Sequence, residues 1–265
     1  MGILNITPDS FSDGGLNFNQ STAVDSARRM VDEGADLLDI GGESTRPGAV
    51  EVSAEEELRR VIPVIEAIQS VGLPISVDTR KASVAKAALA AGATIVNDVS
   101  AFADPQMPEV CALAGCHVCL MHMKGEPQSM QKSPTYGDVV LEVTEYLVEK
   151  AKAAELAGIV KSRIWLDPGI GFGKTGQHNF LLLHGLQELV DLGYPVMIGV
   201  SRKSFIGAVS HASVEQRLPG TLAAQVLAQA SGVRVVRAHD VSEARQAIDV
   251  AAMILRPSLF SKPLA

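Results

Sequence analysis

Polar residues close short apolar bursts all along this 265-residue chain: Asn5, Asp39, Asp78, Asn97, His122, Asp167, Ser201, Arg237 and His239. A carboxylate is costly to bury unless it is paired or hydrogen-bonded. Asp78, Asn97 and Asp167 end three different bursts, with no lysine obviously set against them. Their convergence would suit a flat ligand rich in N–H donors, such as a pterin or guanine-like edge. Helix capping in βα loops is the alternative, and it accounts for one such residue more easily than for three. Met121, at the end of another burst, would line the wall beside that ligand.

The cations are Arg46, Lys203, Arg237 and His239. Arg46 lies in the polar stretch Gly-Gly-Glu-Ser-Thr-Arg-Pro-Gly (41–48), and Lys203 in Ser-Arg-Lys-Ser (201–204). Arg237 and His239 are two residues apart, which puts both on one side of a strand end. Guanidinium groups grip phosphate oxygens bidentately and an imidazole adds a donor, so the set points to a phosphate or diphosphate. A surface arginine and a partly buried histidine are the simpler reading of either residue alone. Two polar segments look like mobile loops. Residues 5–15 are long for a βα connection and resemble a lid. Residues 167–174 carry glycines at alternate positions, which would let backbone approach a flat ligand; they form neither a Walker loop nor a dinucleotide fingerprint.

The bursts themselves, at 2–6, 36–40, 74–78, 94–97, 117–121, 164–167, 196–200 and 233–237, are too short for helices and mostly continuous, as strands covered on both faces should be. Longer Ala-, Glu- and Leu-rich stretches separate them; Val61, Val64, Ile65 and Ile68 have helical spacing, with Pro63 predicting a kink or late start. Ser53 and Glu56 have capping-box spacing, and Glu55, Glu56 and Glu57 read as a solvated first turn. Gly34, Gly72, Gly92, Gly115, Gly158, Gly193 and Gly232 each follow a helical stretch and precede a strand, where a residue with φ > 0 ends a helix. Parallel strands with helical crossovers follow. Eight such units in this length fit a (β/α)8 barrel of one domain, 1–265, whose chemistry gathers at the C-terminal ends of several strands. A doubly wound sheet, dependent on its first glycine turn, is the runner-up.

Composition supports this reading. The chain is 47% apolar, 4% aromatic and 20% charged, with a formal net charge of −7. This excludes a disordered chain and argues against a nucleic-acid surface. Cys111, Cys116 and Cys119 are too few for a disulfide framework and read as small buried hydrophobes rather than metal ligands; Met123 and Met130 read as packing. With no apolar run of membrane-spanning length and no secretory start, the expectation is a soluble, cytoplasmic protein.

Met-Gly-Ile-Leu-Asn-Ile-Thr-Pro-Asp-Ser-Phe-Ser-Asp-Gly-Gly (1–15) and Asp-Ile-Gly-Gly-Glu-Ser-Thr-Arg-Pro-Gly-Ala (39–49) resemble the two signatures of the bacterial dihydropteroate synthase family. The blocks at 76–79, 97–98, 167–174, 201–204 and 237–240 match the rest of that family's pattern in order, so the likeness spans essentially the whole chain. It implies a TIM barrel that condenses (7,8-dihydropterin-6-yl)methyl diphosphate with 4-aminobenzoate, and a first strand shortened at its N-terminal side. By the same resemblance Asp78, Asn97, Asp167 and Lys203 hold the pterin. Asn5 binds Mg²⁺ and diphosphate, with Thr45, Arg46, Arg237 and His239 on the phosphate side. Phe172, Thr45, Pro47, Lys203 and Ser204 line the aminobenzoate pocket that sulfonamides also occupy, while Phe11 and Asp13 belong to the lid. A homodimer through the last helices is also implied.

That chemistry needs charge control rather than a protein nucleophile. Loss of diphosphate leaves a pterin-stabilised methylene cation, an SN1-like path. Asp13 would sit near the cation, and Mg²⁺, Arg237 and His239 would stabilise the growing leaving-group charge, with Arg46 and Lys203 also among the expected catalytic residues. The block at 171–173 lacks the extra residue of sulfonamide-resistant relatives, which predicts sensitivity. A corrinoid-dependent methyltransferase would share the acidic ring without needing the phosphate cations, and a non-catalytic pterin-binding homologue would need neither Asn5 nor Arg237 and His239.

Overall fold

The structure is a computed structural model in which residues 1–6, 16–45 and 48–258 are described, with backbone alone for 16–20. Among them, eight strands form an inner ring: β1 (Gly2–Asn5), β2 (Leu38–Gly41), β3 (Ile75–Asp78), β4 (Ile95–Asp98), β5 (His117–Met121), β6 (Ile164–Asp167), β7 (Met197–Gly199) and β8 (Val235–Arg237). Neighbours β1 to β6 pair in parallel, as do β7 and β8. Parallel bridges Leu166↔Val196 and Gly2↔Ala238 join the two sets, reinforced by Leu166 N–H to Pro195 O at 2.9 Å and Ile3 N–H to Ala238 O at 3.1 Å. The ring is closed, as the barrel reading requires; a doubly wound sheet would leave two free edges.

The helices that cover it are α1 (Leu16–Asp32), α2 (Ala54–Ile68), α3 (Ala82–Ala90), α4 (Met107–Ala114), α5 (Val139–Leu156), α6 (Gly176–His184), α7 (Leu186–Val190), α8 (Ser204–Ser210), α9 (Leu218–Ala230) and α10 (Val241–Leu255). Strand side chains alternate between two cores. Leu38, Ile40, Val77, Val96, Leu120, Leu166 and Ile198 face the helices and join one large apolar cluster. Ile95, Cys119, Trp165 and Met197 face inward and plug the floor, with Met1, Leu37 and Val235 packed against them. Two residues further along each inward row stand Asn97, Met121, Asp167, Gly199 and Arg237. Strand period therefore turns an apolar floor into a polar mouth.

All seven predicted helix-ending glycines have φ between +61° and +111°. Pro63 lies inside α2, which runs through it, and Ser53 caps that helix by accepting from the Glu56 N–H. The Glu56 carboxylate does not complete the box; it takes Arg60 Nε at 2.8 Å and also pairs with Arg59. Glu57 corrects the reading of a solvated first turn. It is fully buried and accepts from Lys81 Nζ at 2.7 Å, because α2 turns that face against the start of α3. The three cysteines are free and buried, and Met130 is a core residue.

Candidate active site

The mouth has an acidic half and a loop half. On the first, Arg237 from the end of β8 reaches across the ring, its Nε 2.6 Å from Asp39 Oδ2 and its Nη2 3.1 Å from Asp78 Oδ2. Asn97 Nδ2 donates to the same Asp39 oxygen at 3.3 Å. Four side chains from β2, β3, β4 and β8 thus form one network. Asp39 Oδ1, Asn97 Oδ1 and Ser76 Oγ are buried with no protein partner, leaving acceptors aimed at the interior. Burial, and to a lesser degree the charges of Asp39, Glu57 and Asp98, raises the Asp78 carboxyl to about 8 even against the pull of Arg237. Such a group shares a proton at neutral pH and accepts hydrogen bonds strongly once ionised.

On the second half, Asp167 at the end of β6 is buried and takes the Gly169 N–H at 2.7 Å. Burial raises its pKa, while Lys203 and Arg237 pull the other way. Lys203, at the start of α8, donates to the Ile170 carbonyl and lies 4.5 Å over the Phe172 ring; burial lowers it to about 8. Ser204 is exposed beside it and Phe172 half-buried, while Met121 is buried at the strand end paired with Asp167.

Several expectations change. The acidic groups are not without cations: Arg237 is tied to both Asp39 and Asp78, and the charge of Lys203 acts on Asp167. Arg202, adjacent to Lys203, pairs with Asp240 at 2.9 Å. His239 does reach the rim, exposed, with Nδ1 2.9 Å from Ser201 Oγ. Asn5 holds its amide oxygen over Gly41: a β-carbon there would lie 3.6 Å from Asn5 Oδ1 and from Asp78 Cβ. Thr45 is half-buried in the loop after β2. Phe11, Asp13, Arg46 and Pro47 lie outside the described residues.

The stretch 167–174 is pinned, not free. Its glycines have φ of +66°, +85° and +63° at 169, 171 and 173, but ligand approach does not explain them all. A β-carbon on Gly169 would meet the His122 carbonyl oxygen at 1.9 Å, and one on Gly173 the Lys124 oxygen at 2.2 Å. The glycines let this loop lie against the strand end at 122–124. Gly169→Ala is therefore expected to destabilise the fold by more than the ~1 kcal/mol of an ordinary glycine effect, read as a lowered urea midpoint; an unchanged midpoint would mean that the backbone moves aside freely.

Sequence reasoning did not give Asp39 a role in the site, although it closes its burst as the others do. It also missed the ionic tie that seats the loop carrying Thr45. Glu43 there binds Arg80 Nη2 at 2.8 Å and Lys81 Nζ at 2.5 Å, and Lys81 links on to buried Glu57.

A family model described as pterin binding enzyme matches residues 1–239. The dihydropteroate synthase of Escherichia coli K12 is 49% identical over 251 residues, covering 94% of this chain and 89% of the relative. Among solved structures, Yersinia pestis dihydropteroate synthase in a sulfonamide drug complex superposes with a TM-score of 0.90 at 45% identity, covering 96% of this chain and 92% of that one. The Xanthomonas albilineans enzyme with 4-aminobenzoic acid gives 0.89 at 48%, covering 99% and 93%. The polar ring at the mouth of this barrel, and the likeness along its whole length, agree: the chain belongs to the dihydropteroate synthase family of pterin-binding enzymes.

Proposed function

We propose that this chain is a transferase of folate biosynthesis that joins (7,8-dihydropterin-6-yl)methyl diphosphate to 4-aminobenzoate, yielding 7,8-dihydropteroate and diphosphate. The observation that carries the reading is the convergence of Asp78, Asn97 and Arg237 with Asp167 and Lys203 at one mouth. A pterin presents alternating N–H donors and acceptors along a flat edge. Asp78 and Asp167 accept from it, and the unpartnered Asn97 oxygen takes a further donor. Lys203 bridges the two subsites: its ammonium lies over the Phe172 ring and its charge acts on Asp167. The aminobenzoate lies along Phe172, Lys203, Ser204 and Thr45, with Pro47 completing the pocket, which is also where a sulfonamide competes; the enzyme is a sulfonamide target.

The diphosphate lies at the rim toward Asn5, Arg46, Arg237 and His239. The Asn5 amide is a hard oxygen donor set over Gly41 and close to Asp78, and it fits Mg²⁺, which takes few protein ligands when phosphate oxygens supply others. Bound there, the ion neutralises diphosphate charge. Cleavage of the C–O bond sends its electron pair to diphosphate and leaves the pterin methylene cation. The neutral arylamine attacks that carbon and then gives up a proton. Asp13 is assigned the charge opposite that cation, and exclusion of water from the site protects it. We assign the active form to a cytoplasmic homodimer. No described helix is long and apolar enough to cross a membrane, and exposed Leu227, Val250 and Ile254 on α9 and α10 offer an apolar face for a second copy.

With both substrates and Mg²⁺, diphosphate and dihydropteroate should form in equal amounts, and absence of both would overturn the assignment. Diphosphate release or positional isotope exchange without aminobenzoate is the expected sign of the dissociative path; strict absence of both would favour concerted displacement.

A further inference from the structure

Residues 170–173 present four successive backbone carbonyls, and each is held by a side chain from outside its own peptide. Ile170 O accepts from Lys203 and Gly171 O from Gln131. Phe172 O accepts from Lys174 Nζ at 2.9 Å and Gly173 O from Tyr136 Oη at 2.8 Å. Lys174 is the unusual member. Its side chain is buried with 2% exposure, and none of the described carboxylates forms an ion pair with it. Its ammonium instead reaches His122 Nδ1 at 2.9 Å and His122 O at 3.3 Å, as well as Phe172 O. Three acceptors therefore match the three protons of an ammonium, with the imidazole accepting through its bare nitrogen.

Burying a lysine charge without a counter-ion is costly, so its retention calls for a reason beyond packing. We infer that Lys174 is a positioning residue for the second substrate: it ties the Phe172 peptide to the end of β5 and thereby sets the Phe172 ring, with the Lys203 ammonium over it, that forms the aminobenzoate wall. The inference rests on the proposed function. It assigns Lys174 and His122 a role toward one substrate, because Asp78 and Asn97 hang from other strands and Asp167 is set by β6 itself and by the Gly169 N–H.

The electrostatics agree with the geometry. Burial, with the positive charge of Lys174 beside it, lowers His122 to about 3, so the imidazole is neutral and able to accept. Burial also lowers Lys174 to about 7, with Asp167 pulling upward and Lys203 and Lys124 adding to the fall. The loop is thus held by an ammonium that the site itself makes marginal.

The test is steady-state kinetics on Lys174→Met, which keeps the stem and removes the donors, beside Lys174→Arg. In Lys174→Met the KM for 4-aminobenzoate should rise about tenfold or more, with kcat and calorimetric affinity for a pterin analogue within about threefold of wild type; Lys174→Arg should recover part of the KM. An unchanged KM, or a parallel loss of pterin affinity, overturns the inference. If Lys174→Met fails to fold, His122→Leu is read for the same split, with the same outcomes for and against. Wild-type turnover in the same assay distinguishes failure of the functional reading from failure of this one.

Discussion

Asp78→Asn should lower kcat/KM for the pterin substrate by ~10³-fold or more while leaving a folded barrel. A site built to hydrogen-bond a polar edge loses most when one buried partner presents the wrong group. Here the amide would set N–H against the N–H donors of the pterin and also leave Arg237 with one carboxylate. The fold should tolerate the change. The Asp78 carboxyl stands at about 8 against an ordinary 3.8, so the ligand-free protein at neutral pH already holds it largely protonated, and an amide resembles that form. The sign follows from this shift. A carboxyl raised on folding contributes less stability as pH climbs from about 4 to about 8, since the unfolded chain gives up its proton first. A pterin that needs the ionised form displaces the proton. Wild-type affinity should therefore strengthen as pH rises toward 8, with proton release seen by calorimetry in buffers of different ionisation enthalpy, and Asp78→Asn should show neither effect. A variant with near-normal kcat/KM would place the pterin edge elsewhere.

Arg237→Met is expected to cost stability and activity together. The guanidinium is the counter-charge of fully buried Asp39, at 2.6 Å, and hydrogen-bonds Asp78 at 3.1 Å. Removing one partner of a buried ionic group leaves uncompensated charge, on the order of 3–5 kcal/mol. Urea unfolding should show the loss, and turnover should fall below detection because the same group orders the acidic half of the mouth and is assigned to the diphosphate side of the proposed reaction. Adding Asp39→Asn to Arg237→Met should restore part of the stability and none of the activity. If the single variant is as stable as wild type, the Arg237 network is not a structural tie and its residues serve the ligand alone.

Much of this was legible in the chain. The rhythm of apolar burst, helix and glycine locates all eight strands, because parallel barrel strands are covered on both faces and each crossover must end in a left-handed turn. The polar strand ends locate the mouth, because strand period carries Asp78, Asn97 and Asp167 inward from different sides. Pairing across the ring was not legible. Strand ends in a sheared barrel stand at different heights, so nothing in the sequence says that Arg237 bridges Asp39 and Asp78 or that Lys203 lies over Phe172. Glu57 and Lys174 were opaque for a related reason: each is charged yet buried, and a partner distant in sequence makes that tolerable. The alternate glycines at 169, 171 and 173 were visible, but their cause, the close approach of 122–124, is tertiary.

The proposed activity requires the pterin in the barrel mouth. A crystal of the protein grown with Mg²⁺ and a non-hydrolysable pterin methyl diphosphate analogue tests it directly. The predicted result has the heterocycle's N–H edge within about 3 Å of the carboxylates of Asp78 and Asp167 and of the Asn97 amide, with the diphosphate directed toward Asn5 and His239. A heterocycle bound away from these three residues, or lying with its N–H edge toward solvent, would contradict the account.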